Sequence, residues 1–197
     1  ADGQVLLSVE LEKILNENFE KGLILDAHIA QNEEQRLIMW ERREAATEIS
    51  LLKKPLINND IAVPLEKVSE FLEIMEKKLP DLDPNADVFI VSHLGDGNVH
   101  YGVWPSQVDE QHKEKIMELV EGVVLSLGGS FSAEHGIGLS KLSSMERRKD
   151  RVSLDLMRQI KNAIDPEAIM NPGKVLPKVN QVDDQRTEFR QNKAKGH

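Results

Sequence analysis

The chain has 197 residues, 40% of them hydrophobic, and a formal net charge of −9. That length and composition suffice for a buried core, and the acidic balance argues against a nucleic-acid surface. The absence of cysteine excludes disulfides, thiolate metal sites and cysteine nucleophiles, and no apolar run reads as a bilayer span or a signal peptide.

Val5 to Val9 reads as a strand, followed by a helix to about Glu20. Leu23 to His28 reads as a second strand, and Asn32 to Ile49 as a charged helix. Ile57 to Val63 reads as a strand. Pro64 opens a helix to Leu79, with Leu65, Val68, Leu72, Met75 and Leu79 recurring at three and four. Val88 to Tyr101 reads as a hairpin. Glu110 to Leu127 is helical, with Ile116, Val120, Val123 and Leu127 on one face. Phe131 falls in a short strand. Ser153 is expected to cap a last helix whose core side is Met157, Ile160 and Ile164, ending at Asp165-Pro166. Residues 178–197 are polar with few apolar anchors and read as a loose tail. Helices interleaved with strands and a hairpin predict an α+β fold, an antiparallel sheet covered by helices.

The chemistry gathers in two segments. In VFIVSHLGDGNVHY, Asp96-Gly97 is the signal for a two-residue turn. That turn would set Gly95 opposite Asn98, Leu94 opposite Val99 and His93 opposite His100. Opposed residues share a face with Cβ atoms about 4.5–5.5 Å apart, close enough for two imidazoles to share one ion. The second segment, GGSFSAEHGIGLS, sets Glu134 and His135 between small residues that allow a close approach. Two histidines and a carboxylate suit zinc, manganese or iron with a position left open, and His135 could serve as the neighbouring acid or base. Without the hairpin, Glu134-His135 would read as a solvated turn.

Further residues carry weaker signals. Arg43 and Thr47 are one helical turn apart, so they share a face. An arginine fork can hold a carboxylate, although Glu41, Arg42 and Glu44 also suit a solvated charged helix. Asp96 and Asn98 suit a turn, and Asp96 could instead orient a ligand imidazole. Asn171-Pro172-Gly173 is a turn signal. His28 and His112 lie outside every motif, and His112 reads as a surface residue.

HLGDGNVH, AEHGIG and the closing MNPGK, in that order, resemble the flavin-dependent D-2-hydroxyacid dehydrogenases of the vanillyl-alcohol-oxidase type. The resemblance runs from about Val5 to Pro177 and implies a ferredoxin-like cap domain over residues 1–177. It implies oxidation of D-lactate, D-2-hydroxyglutarate or glycolate to the 2-oxo acid. It also implies FAD, held mainly by an N-terminal domain that this chain does not resemble. The chain would then be one domain of a larger oxidoreductase, inactive by itself. A divalent metal, zinc or manganese, is expected on His93, His100 and Glu134, with His135 as general base. Trp40, Arg43 and Glu44 match the family's W-x-x-R-E segment, which sets Arg43 on the substrate carboxylate, with Thr47 beside it. Asn171 and Lys174 are expected to approach the flavin. Some 2-hydroxyglutarate enzymes carry lysine and asparagine where this chain has Asn58 and Gly102, which weakens that substrate without establishing lactate.

Partners expected on this reading are the small 2-hydroxy acid, the flavin domain, a downstream electron acceptor and a second copy in a homodimer. The setting expected is cytoplasmic, or at the membrane periphery through the acceptor. A metal-dependent hydrolase and a non-catalytic interaction domain are the alternatives.

Overall fold

A computed structural model describes residues 2–50, 53–93 and 95–178. The chain divides into two compact units, Ala1–Ile49 and Ser50–His197. The predicted tail from residue 179 onward lies outside the described residues.

The first unit holds two helices, α1 (Asp2–Glu20) and α2 (Glu33–Ile49). The expected strand at Val5 to Val9 is therefore helical. Strand backbone needs a partner to satisfy its N–H and C=O groups, whereas a helix satisfies them locally. The run through Leu7, Leu11 and Ile14 has helical spacing and no breaker before Gly22. Gly22 (φ +67°) ends α1: its amide bonds to Phe19 O, and Leu23 N reaches Asn18 O at 2.9 Å. Leu23 to His28 is irregular rather than a strand, and Leu25 is exposed. The start of α2 agrees with expectation. Asn32 Oδ1 accepts the Gln35 amide at 2.9 Å, as an N-cap does.

The second unit carries the sheet. Strands β1 (Ile57–Ala62), β2 (Asp87–His93) and β3 (Asn98–Trp104) lie in the order β1-β3-β2, all antiparallel. A single turn of 3₁₀ helix (Leu65–Lys67) and α3 (Val68–Leu82) join β1 to β2, and α4 (Glu110–Ser126) follows β3. The β-α-β-β-α succession is that of a ferredoxin-like unit. The expected strand at Phe131 is reduced to one bridge, Ala62 with Ser130, on the outer edge of β1.

Alternation divides the sheet. Ile57, Ile61, Val99, Tyr101 and Val103 are buried against Phe71, Met75 and Leu79 of α3 and Ile116, Val120, Val123 and Val124 of α4. Phe71, absent from the predicted stripe, is fully buried and meets Tyr101 edge-on at 5.5 Å. Burying such a ring contributes about 1.5–3 kcal/mol. Asp60, His100, Val91 and His93 share the opposite face.

Two further helices follow, α5 (Leu142–Arg148), which was not expected, and α6 (Arg151–Ile164). Glu121 of α4 receives Arg147 at 3.2 Å and Arg148 at 3.0 Å from α5. Asp150, not Ser153, caps α6. Its Oδ1 accepts the Ser153 amide at 2.9 Å, because Ser153 lies inside the first turn. The expected core side also differs. Leu154 is buried, while Ile160 and Ile164 are exposed, since α6 presents only a narrow side to its neighbours.

Candidate metal centre

The hairpin register differs from the expected one. His93 pairs with Asn98 and Val91 pairs with His100. The two-residue turn does not form because its groups are engaged elsewhere. Gly97 O accepts the Val63 amide at 3.1 Å, and Asp96 Oδ1 accepts the Asn98 amide at 3.0 Å. Gly97 has φ +72°, and a Cβ there would lie 2.1 Å from Val63 O, so only glycine fits. The offset is two residues, and an even offset keeps both imidazoles on one face. His93 and His100 become diagonal neighbours, with ring centroids 5.6 Å apart.

Glu134 and His135 reach this face from the far side of β1. Ser130 exchanges backbone bonds with Ala62, and Ala133 N bonds to Asp60 O at 3.1 Å. The Asp60 side chain extends the attachment, accepting His135 N at 3.0 Å and Glu134 N at 3.3 Å. Glu134 Oε1 thereby lies 3.0 Å from His100 Nε2, 3.3 Å from His135 Nε2 and 3.8 Å from His93 Nε2. One carboxylate oxygen thus gathers all three imidazoles that the sequence singled out. His100 is 15% exposed and His135 55%, so the first is held by packing and the second is open to a ligand or a proton.

The donor chemistry fits a divalent ion. Imidazole nitrogens and carboxylate oxygens are the ordinary ligands of zinc and suit manganese and iron. Asn98 Oδ1, buried on the same face, has no hydrogen-bond partner among the described residues. That orphaned acceptor suits a polar occupant of the site. By distance alone Asp60 also qualifies: ligand atoms of Asp60, His100, Glu134 and His135 lie within 4.8 Å of one another, a set that leaves out His93. We assign Asp60 a different part, because its oxygens are already taken by two amides and by Lys141 Nζ at 2.9 Å. Burial opposes its ionisation, but the Lys141 ammonium and the His135 and Glu134 amides outweigh burial and hold its carboxyl below the ordinary range.

The remaining expected residues lie elsewhere. Arg43 is exposed on α2 in the first unit, with Glu44 at 3.4 Å, and the Thr47 side chain lies outside the described residues. Asn171 and Lys174 share one exposed turn, with Asn171 at φ +47°. His112 is not a surface residue. It is buried with its Nε2 2.8 Å from Asp83 Oδ2, because it sits in the first turn of α4 facing the end of α3. Sequence reasoning assigned no part to Asp60, Lys141 or Ser132. An acidic residue in the middle of the expected strand Ile57 to Val63 was the available signal for the first, and nothing local marked the other two.

Residues 5–175 match the family of FAD linked oxidases, C-terminal domain. The chain belongs to this family. Its α+β sheet with helical cover is that of an FAD linked oxidase C-terminal domain. Among curated relatives of this oxidase domain, it is 34% identical over 168 residues to a protein from Oryza sativa subsp. indica named probable D-2-hydroxyglutarate dehydrogenase, mitochondrial, covering 85% of this chain and 30% of the relative. It is 34% identical to the D-2-hydroxyglutarate dehydrogenase of Xanthomonas citri pv. viticola, covering 79% of this chain and 34% of that protein. A putative D-lactate dehydrogenase of Schizosaccharomyces pombe is 31% identical, covering 84% of this chain and 33% of that protein. The chain thus spans about a third of the length of these relatives. No helix among the described residues is long and apolar enough to cross a membrane.

Proposed function

We propose that this chain is the substrate- and metal-binding part of an FAD-dependent dehydrogenase that oxidises a D-2-hydroxy acid to the 2-oxo acid. The observation that carries the reading is the convergence of His93, His100 and His135 on one Glu134 oxygen, within a chain of the FAD linked oxidase family. A divalent ion held by His93, His100 and Glu134 would supply Lewis acidity toward the substrate hydroxyl, and FAD would accept the hydride.

His135, the most exposed of the three imidazoles, takes the hydroxyl proton on Nε2. Glu134 Oε1, 3.3 Å away, stabilises the imidazolium that results. The Trp40-x-x-Arg43-Glu44 pattern alone proposes Arg43 as a carboxylate contact. Asn171 and Lys174 do not by themselves make a flavin cradle, so we place the dinucleotide pocket in a region outside this chain. The relatives' names favour D-2-hydroxyglutarate. Asn58 and Gly102 are cross-strand partners one row from Asp60 and His100, the row where a distal carboxylate would be read. A Cβ at Gly102 would lie 3.0 Å from Leu56 Cδ1 and 3.3 Å from Phe89 O, so the position across from Asn58 has little room for a side chain.

The test mixes the full-length gene product anaerobically with D-lactate, D-2-hydroxyglutarate and glycolate, following flavin absorbance. Rapid bleaching by one acid, abolished by chelation, is the expected result. Absence of bleaching by all three, with metal and flavin present, would overturn the reading.

A further inference from the structure

Asp60 lies among the ligand atoms of the centre, yet its Oδ2 is engaged by a residue 81 positions later in the chain. Lys141 is 9% exposed, and each of its three ammonium protons has an acceptor. These are Asp60 Oδ2 at 2.9 Å, Asp60 O at 3.3 Å and Ser132 Oγ at 2.8 Å. Ser132 Oγ in turn donates to Gly136 O at 2.9 Å, so the two residues bracket the Glu134-His135 segment from both ends. With all its donors engaged, Lys141 is built to hold other groups rather than to exchange protons.

We infer that Lys141 is a positioning residue that withholds Asp60 from the proposed metal and so limits the ligands to His93, His100 and Glu134. The inference rests on the metal reading given above. Two consequences follow from the chemistry. With Lys141 in place, Asp60 serves as the anchor of the Glu134 and His135 amides and the acceptor facing His100 Nδ1, 3.8 Å away. Without it, Asp60 keeps only its two amide donors and has no cation to neutralise it, so its carboxylate can turn to the ion as a second carboxylate ligand. An oxygen-richer set favours harder ions such as manganese over zinc. Lys141 therefore sets which metal the site prefers, without touching it.

The experiment titrates wild-type protein, Lys141→Met, Lys141→Arg and Lys141→Met/Asp60→Asn with Co²⁺, recording visible absorption, and then measures Zn²⁺ against Mn²⁺ by competition. Lys141→Met is expected to weaken the Co²⁺ bands, as a higher coordination number does, and to shift preference toward Mn²⁺ by about tenfold. Lys141→Arg is expected to restore the wild-type spectrum, and the double variant the wild-type preference, since it has no second carboxylate to offer. A wild-type spectrum and preference in Lys141→Met would overturn the inference. So would an altered preference that persists in the double variant. If Lys141→Met does not fold, Asp60→Asn decides. It is expected to bind metal about tenfold more weakly with unchanged preference, and unchanged affinity would overturn the anchoring part. Wild-type protein that binds none of the three ions would instead overturn the metal reading itself.

Discussion

Two buried aspartates each face a histidine, and they are built to opposite ends. Asp83, just past α3, accepts the Ser106 amide and His112 Nε2 on Oδ2, both at 2.8 Å, and the Asn85 amide on Oδ1. That pair is closed: the imidazole is buried and in direct contact with the carboxylate. Burial pushes the Asp83 carboxyl upward, but the bonds from Ser106, His112 and Asn85 outweigh burial and hold it at about 2. Asp60 instead gives its oxygens to loop amides and to Lys141, and stays 3.8 Å from His100. His100 thereby keeps Nε2 directed at Glu134. The difference teaches that a buried Asp–His pair joins two helices when it is short and saturated. It supports a binding site when the acid is saturated by others and the imidazole is left one face to offer.

The comparison breaks most visibly at the open site. His135→Ala is expected to lower turnover of the full-length protein by roughly 10²–10⁴-fold with metal content unchanged. Steady-state kinetics and metal analysis on the same sample check this, and a fall in metal would make His135 a ligand. Glu134→Ala is expected to weaken metal binding by more than about tenfold, read by competition with a chromophoric chelator. At the closed pair, Asp83→Asn is expected to cost about 2 kcal/mol in denaturant unfolding while leaving metal affinity unchanged. The acid dependence follows the same carboxylate. Its folded value is depressed, so its contribution is complete above the ordinary value of 3.8 and is lost as pH falls toward about 2. Asp83→Asn should flatten that part of a stability–pH curve, and an unchanged curve would place acid sensitivity elsewhere. The smallest effect is expected at Asp96, whose carboxylate caps the Asn98 amide at 3.0 Å. Asp96→Ala should cost about 0.5–1.5 kcal/mol in unfolding, with metal affinity unchanged. A loss of metal there would restore its alternative part as an orienting group.

Most of the helices, the hairpin and the Glu134-His135 segment were legible because their signals are local: caps, periodicity, an Asp-Gly turn and small residues flanking a ligand pair. The register was not, because Val63 and Gly97 settle it through a contact between segments the hairpin motif does not contain. The first expected strand failed for a related reason. A short apolar run with valine at both ends suits a strand, but a partner decides it, and α1 satisfies its own backbone. At the site, the three histidines and Glu134 could be named from spacing, whereas Asp60 and Lys141 meet only after the chain has folded. α5 is a helix of 7 residues, too short to show a period, and it is held by arginines on Glu121 rather than by an apolar stripe.

The two hairpin histidines stand on strands of unequal restraint. His100 is on the central strand, paired on both sides, whereas His93 ends β2, the strand that closes the sheet order. Amides of β3 should therefore exchange with solvent slowly and those at the end of β2 quickly, giving one site a stiff wall and a yielding one. An ion gripping both imidazoles would clip the loose margin to the firm centre. Deuterium uptake along β2 would then report occupancy before any turnover is measured.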